Sequence, residues 1–324
     1  MGAPRSPVSI AAALGLSCAL GQRPEVSAQT RHHPRPHHDT PATAALSPTP
    51  LPAYTGSFPG RNGRFTAHLT VAGEDRAVEI IVPRHHPENP PIVLLFHGTN
   101  GGGGQIIDEC GAEEVAEREG FVVAAPVSRW LAARDWDHPE GEATYWQTAP
   151  ETDPDRNHDL LLVRAVLDAA QQAYGIDPAR VYVMGHSNGA FFALEVAMVF
   201  HDRIAAFAEN SGGIVRCEST PSCAFRGHGA TCEALSPQAG FCRCEGPDKP
   251  ISVVTTGHRP AAYLAHGTDD PTVTVAYTCA LATSLRAAGY EVAVRLRDGE
   301  GHACPGTFVR DAWPFLAAHP LALR

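Results

Sequence analysis

Two short stretches, residues 65–71 and 77–82, alternate between apolar and polar positions and flank Gly73-Glu74-Asp75. Period-two alternation around a turn-forming triplet predicts a β-hairpin. Further on the pattern changes character. Residues 92–96 form a continuous apolar run that ends in His97-Gly98, as a strand buried on both faces does. Helical spacing follows over 110–119, then another apolar run over 121–125. The alternation continues with a helix over 159–174, with Asn157 as its N-cap. A strand over 181–184, a helix over 190–200 and a strand over 204–208 come next. The last predicted elements are a strand at 261–265, a helix at 272–288, a strand at 291–296 and a helix at 307–318. Strands alternating with helices predict an α/β fold, with a mainly parallel central sheet and helices on both faces.

The regions without this pattern are informative in a different way. Residues 1–28 read as a signal peptide: Arg5, a short apolar stretch over 8–20, and the small-residue site Val26-Ser27-Ala28, with Gln29 as the new start. The apolar stretch is shorter than the roughly 20 residues a membrane span needs. A lipid anchor on Cys18 is the rival reading. Residues 29–62 are rich in Pro, Thr, Ala and His and read as a disordered linker, so the catalytic domain is expected to span 63–324. The run Arg31-His32-His33-Pro34-Arg35-Pro36-His37-His38 admits a metal, but a Pro-rich stretch of this kind is more simply a linker.

Residues 216–248 interrupt the alternation with a cysteine-rich insertion of little apolar content. Such a segment cannot build its own core, so disulfides must substitute for one. Cys217, Cys223, Cys232, Cys242 and Cys244 are five, an odd number. Full oxidation therefore requires a bridge to Cys110, Cys279 or Cys304. A zinc site using His228 competes with this reading. The chain has nine cysteines, and loss of Cys18 with the signal peptide leaves an even set, as in an exported protein. The expected location is secreted, periplasmic or extracellular. The 324 residues are 44% hydrophobic, enough for one sizeable core, and the net charge of −10 argues against a nucleic-acid or anionic-membrane partner.

The sharpest chemical signal is Gly185-His186-Ser187-Asn188-Gly189, between a predicted strand and a predicted helix. That context fits a nucleophile elbow, in which a sharp turn exposes the serine hydroxyl and glycines two residues either side allow close backbone approach. A serine hydroxyl needs a base. His302, in a glycine-rich loop after the last strand, is the candidate among 17 histidines. The acid is expected between them, in His266-Gly267-Thr268-Asp269-Asp270-Pro271, where spacing does not choose between Asp269 and Asp270. An oxyanion would need two backbone amides, each worth about 3 kcal/mol at the transition state. Asn188 supplies one, and Thr99, in the glycine-rich loop 97–104, is expected to supply the other. The same loop is no phosphate cradle, since Gln105 stands where Lys and Ser or Thr would follow. No cofactor or metal is implied.

These blocks together, with residues 91–98 and 174–183, resemble the esterases grouped with polyhydroxybutyrate depolymerases and feruloyl or acetyl-xylan esterases. The resemblance implies an α/β-hydrolase fold and a serine esterase acting through an acyl-enzyme on ester substrates, polymeric ones included. It also selects Asp270 over Asp269, as the aspartate directly before the proline. The insertion departs from the family's usual core. Trp130, Trp136, Tyr145 and Trp146 fall in a long loop, where they either wall an acyl pocket or simply pack. Rival functions are a serine peptidase on the same fold and a non-catalytic surface or carbohydrate-binding protein.

Overall fold

Each short apolar run becomes a strand because β-branched and aromatic side chains can be buried on both sides of a pleated sheet. In the computed structural model the described residues are 54–131, 143–148, 153–214, 231–232 and 252–322. The strands are β1 (Gly63–Val71), β2 (Glu74–Val82), β3 (Ile92–Phe96), β4 (Val122–Pro126), β5 (Arg129–Leu131), β6 (Ala143–Tyr145), β7 (Val181–His186), β8 (Ala206–Asn210), β9 (Ala261–Gly267) and β10 (Val292–Arg297). The helices are α1 (Gly103–Glu109), α2 (Ala112–Glu119), α3 (His158–Tyr174), α4 (Asn188–Val199), α5 (Val275–Ala287) and α6 (Phe308–Ala317).

Eight strands form one sheet in the order β1-β2-β4-β3-β7-β8-β9-β10. The predicted hairpin β1–β2 is antiparallel and joins β4 antiparallel. Every other neighbour pair is parallel. Successive residues of a strand face opposite sides. Ile92, Leu94 and Phe96 therefore join one apolar cluster with α3, α4 and α5, while Val93 and Leu95 join another with α1, α2 and α6. The sheet is thus covered on both faces, as predicted. Parallel strands all end at one edge, so the loops after β3, β7, β9 and β10 gather there.

Three features differ from the sequence pattern. The packed chain extends upstream of Gly63: Thr55 exchanges two backbone hydrogen bonds of 2.9 Å with Thr70, and Phe58 stacks on Tyr174. Here order comes from covering the free edge of β1, which needs no hydrophobic period. The glycine-rich stretch after Phe96 turns into α1, a helix its composition hides. The stretch read as one long loop contains the antiparallel pair β5–β6.

Two disulfides are described. Cys232 pairs with Cys279 on α5, so a bridge does leave the insertion, and Cys110 pairs with Cys304. The signal peptide, Cys18, the His-rich run, His228, Trp136 and the remaining insertion cysteines lie outside the described residues. Among those described, no helix is long and apolar enough to cross a membrane.

Candidate active site

The turn from β7 into α4 carries Ser187 at φ 55° and ψ −125°, outside the regions an ordinary side chain prefers. A β-carbon on Gly185 would overlap the Gly189 carbonyl, and one on Gly189 would overlap the Phe96 carbonyl. The two glycines thus permit the crossing of three backbone segments that the elbow needs. The Ser187 amide is tied to Asn210 O on β8 at 3.0 Å.

The loops after β9 and β10 bring two distant groups to this serine. His302 Nε2 lies 2.9 Å from Ser187 Oγ, and His302 Nδ1 lies 2.7 Å from Asp270 Oδ2. A carboxylate only accepts, so Nδ1 carries the proton and Nε2 is left to accept from the serine hydroxyl. Asp270 Oδ1 accepts from the amides of Thr272 and Val273 at 2.9 and 2.8 Å. Asp270 therefore also orders the turn into α5, whose N-cap is Thr274 rather than an aspartate. Asp269 is held elsewhere, with its amide on Glu300 O. Of the two aspartates that spacing left open, Asp270 is the one in contact with His302.

His266 approaches Asp270 Oδ2 at 3.2 Å and donates from Nε2 to Val273 O at 2.8 Å. Burial works to raise the Asp270 pKa, but hydrogen bonds from His266, His302 and Val273 outweigh it and hold the carboxyl well below its usual range. His186, beside the serine, has its pKa pushed down to about 3, first by burial and then by His302. It is therefore neutral, accepting at Nδ1 from Asn210 Nδ2 at 2.8 Å.

Asn188 opens α4, so its amide has no partner within the helix. The Thr99 amide has no hydrogen bond among the described residues. Both loops are fixed by one short segment. The Asn100 amide donates to Thr144 O at 2.7 Å, Trp146 N to Asn188 Oδ1 at 2.7 Å, and Trp146 Nε1 to His97 O at 2.8 Å. Trp146 is fully buried, stacked on Phe192 and edge-on to Phe96, so it packs rather than walling a pocket. Tyr145 is half-buried. The side chain of Trp130 lies outside the described residues, as Trp136 does. His97 donates from Nδ1 to Gly98 O at 2.6 Å and accepts from the Ser128 amide at 3.0 Å. Burial pushes its pKa down to about 4.

A cleft of about 550 Å³ runs over this arrangement, lined among others by Thr99, Gln105, Glu109, Ser187, Thr272 and His302. The geometry juxtaposes a hydroxyl, an imidazole and a carboxylate, with the Asn188 and Thr99 amides nearby. Such a set can transfer an acyl group. Residue patterning missed His266, Asn210 and Trp146 as supports of the site. His266 stood inside a quoted block, but nothing in the sequence tied any of the three to their partners.

Two family models match the chain: "Prolyl oligopeptidase family" over residues 158–313 and "Putative esterase" over residues 70–220. "Putative esterase NocK" of Nocardia uniformis subsp. tsuyamanensis is 30% identical over 187 residues, covering 52% of this chain and 51% of that protein. Poly(3-hydroxyalkanoate) depolymerase C of Paucimonas lemoignei is 26% identical over 204 residues, covering 59% of this chain and 43% of that protein. The chain thus spans about half or less of the length of these relatives. The solved acetyl xylan esterase of Aspergillus awamori superposes with a TM-score of 0.54 at 17% identity, over 82% of this chain and 99% of that one. The fold is that of the α/β-hydrolases, and the chain is similar to their esterases.

Proposed function

We propose that this protein is a carboxylic-ester hydrolase with Ser187 as nucleophile, His302 as general base and acid, and Asp270 as the carboxylate that orients it. The observation that carries the reading is the hydrogen-bonded line from Ser187 Oγ through His302 to the buried Asp270, with Ser187 and His302 lining a cleft. His302 Nε2 takes the serine proton as Oγ attacks the ester carbonyl. The Thr99 and Asn188 amides hold the oxyanion. The alcohol leaves with the proton from His302, and an acyl-enzyme remains. Water, deprotonated by His302, then releases the acid and restores Ser187. Asp270 stabilises the imidazolium in both steps without itself taking the proton.

The substrate class is drawn from the similar esterases: acetyl or feruloyl esters of polysaccharides, or polyhydroxyalkanoates. Export is the accompanying reading, supported by two disulfides, which persist in oxidising compartments. A peptidase is the second reading, favoured by the prolyl-oligopeptidase match. A panel of p-nitrophenyl acetate, methyl ferulate, hydroxybutyrate oligomers and aminoacyl anilides tests both. Ester turnover that falls at least about 10³-fold in Ser187→Ala is expected. Anilide cleavage exceeding every ester would favour the peptidase, and undiminished turnover in the variant would end the proposal.

A further inference from the structure

The loop that carries His302 is poorly suited, by composition, to hold a base in register. Residues 298–307 include Gly299, Gly301 and Gly306. Glycine loses the most conformational freedom on ordering, so such a loop fluctuates unless it is tied down. Upstream of His302 the ties run to the acid loop. The Gly299 amide donates to Thr268 Oγ1 at 2.9 Å, and Glu300 O accepts from the Asp269 amide at 3.0 Å. Downstream, Ala303 O accepts from Asn210 Nδ2 at 2.9 Å. The next residue, Cys304, is bonded covalently to Cys110.

Cys110 is fully buried and caps the C-terminal end of α1, the helix that follows the Thr99 loop. The bridge spans 194 residues of sequence. It joins the base-bearing loop to the side of the cleft that carries the Thr99 amide. The neighbouring backbone is shaped for this contact. Gly111 has φ +68°, and a β-carbon there would overlap the Gly306 carbonyl. The Val309 amide donates to Cys110 O at 3.3 Å. Cys304 lines the same cleft as Ser187 and His302.

We propose that the Cys110–Cys304 disulfide is a positioning element that holds the His302 imidazole within hydrogen-bonding reach of Ser187. The inference rests on the role assigned to His302 above. Misplacing a catalytic group by about 1 Å costs on the order of 10²-fold in rate. Loss of the staple should therefore lower kcat while leaving the cleft's ground-state contacts, and so KM, in place.

The experiment compares the parent protein with Cys110→Ala/Cys304→Ala on p-nitrophenyl acetate, with His302→Ala and Ser187→Ala assayed in parallel. Near-UV circular dichroism checks that the double variant is folded. The expected result is a kcat lowered at least about tenfold with KM within about twofold. A folded double variant with kcat within twofold of the parent, while His302→Ala and Ser187→Ala are inactive, overturns the staple and leaves the ester-hydrolase reading standing. Full activity in His302→Ala instead removes the premise, and both fall. Should the double variant fail to fold, the folded parent is treated with a water-soluble phosphine. The phosphine is oxidised, taking oxygen from water, and the two sulfurs become thiols. Iodoacetamide then caps them, and mass spectrometry follows Cys110 and Cys304. Activity that falls in step with capping of these two supports the staple. Activity that persists after both are capped overturns it.

Discussion

Replacing Asp270 by Asn changes one oxygen to an amide, yet the surroundings leave the amide no acceptable orientation. With its NH2 where Oδ2 stands, the group meets His302 Nδ1 at 2.7 Å and His266 Nε2 at 3.2 Å. In the parent His302 Nδ1 donates to the carboxylate, and His266 Nε2, whose proton goes to Val273 O, offers the new amide no acceptor. His302 can then relax only by moving its proton to Nε2, which points a donor at Ser187 and abolishes the base. Flipped, the NH2 meets the Thr272 and Val273 amides, two donors fixed in backbone at 2.9 and 2.8 Å from Oδ1. The catalytic penalty is that of a wrong tautomer, about 10⁴-fold in kcat. At about 1.36 kcal/mol per decade this is roughly 5 kcal/mol of transition-state stabilisation. Asp269→Asn should change kcat less than about threefold, because the carboxylate bonded to His302 Nδ1 is that of Asp270 and the tautomer is left alone. Initial rates on p-nitrophenyl acetate across pH 6–9 measure both. The reasoning is refuted if Asp270→Asn keeps more than a tenth of parental kcat while folded, or if Asp269→Asn loses as much as Asp270→Asn.

Other consequences can be read from the same contacts. His97 has its pKa pushed down to about 4 in the folded chain, against about 6.5 unfolded, so the unfolded chain takes up its proton first as pH falls. The associated stability is complete above about pH 6.5 and lost progressively towards pH 4, about 3 kcal/mol in all. Urea unfolding at pH 7.5 and 4.5 should show that loss, and His97→Gln should reduce its slope; an unchanged slope counts against it. Trp146→Phe strips the His97 carbonyl of a buried partner, at a cost of about 1–3 kcal/mol. Its denaturation midpoint should fall, with kcat/KM falling too as the Thr99 loop loosens; a variant equal to the parent in both would show that the segment at residues 144–146 is not what fixes these loops. Gly189→Ala drives a methyl into the Phe96 carbonyl and should give little soluble, active protein; a well-folded variant of parental activity would contradict the close approach.

Much of this protein was legible along the chain because burial leaves a local trace. A strand covered on both faces must be apolar throughout, so 92–96, 121–125 and 181–184 stood out. An elbow requires small residues at fixed offsets from its serine, so Ser187 stood out as well. His302 was found by its place after the last strand, whereas the choice of Asp270 needed a family resemblance, since two adjacent carboxylates are locally equivalent. Only the folded chain distinguishes them, because the difference lies in which one faces His302. The same holds for α1, whose glycines disguise a helix sustained by the packing of Ile106 and Ile107, and for Phe58, a lone apolar residue held by Tyr174. Asn210, Trp146 and the Cys110–Cys304 pair matter through partners distant in the chain, 24 residues between Asn210 and His186 and 194 across the disulfide. Periodicity and spacing record what a residue needs from its immediate neighbours. Convergence of distant loops at one edge of a parallel sheet is a property of the closed fold, and no local pattern encodes it.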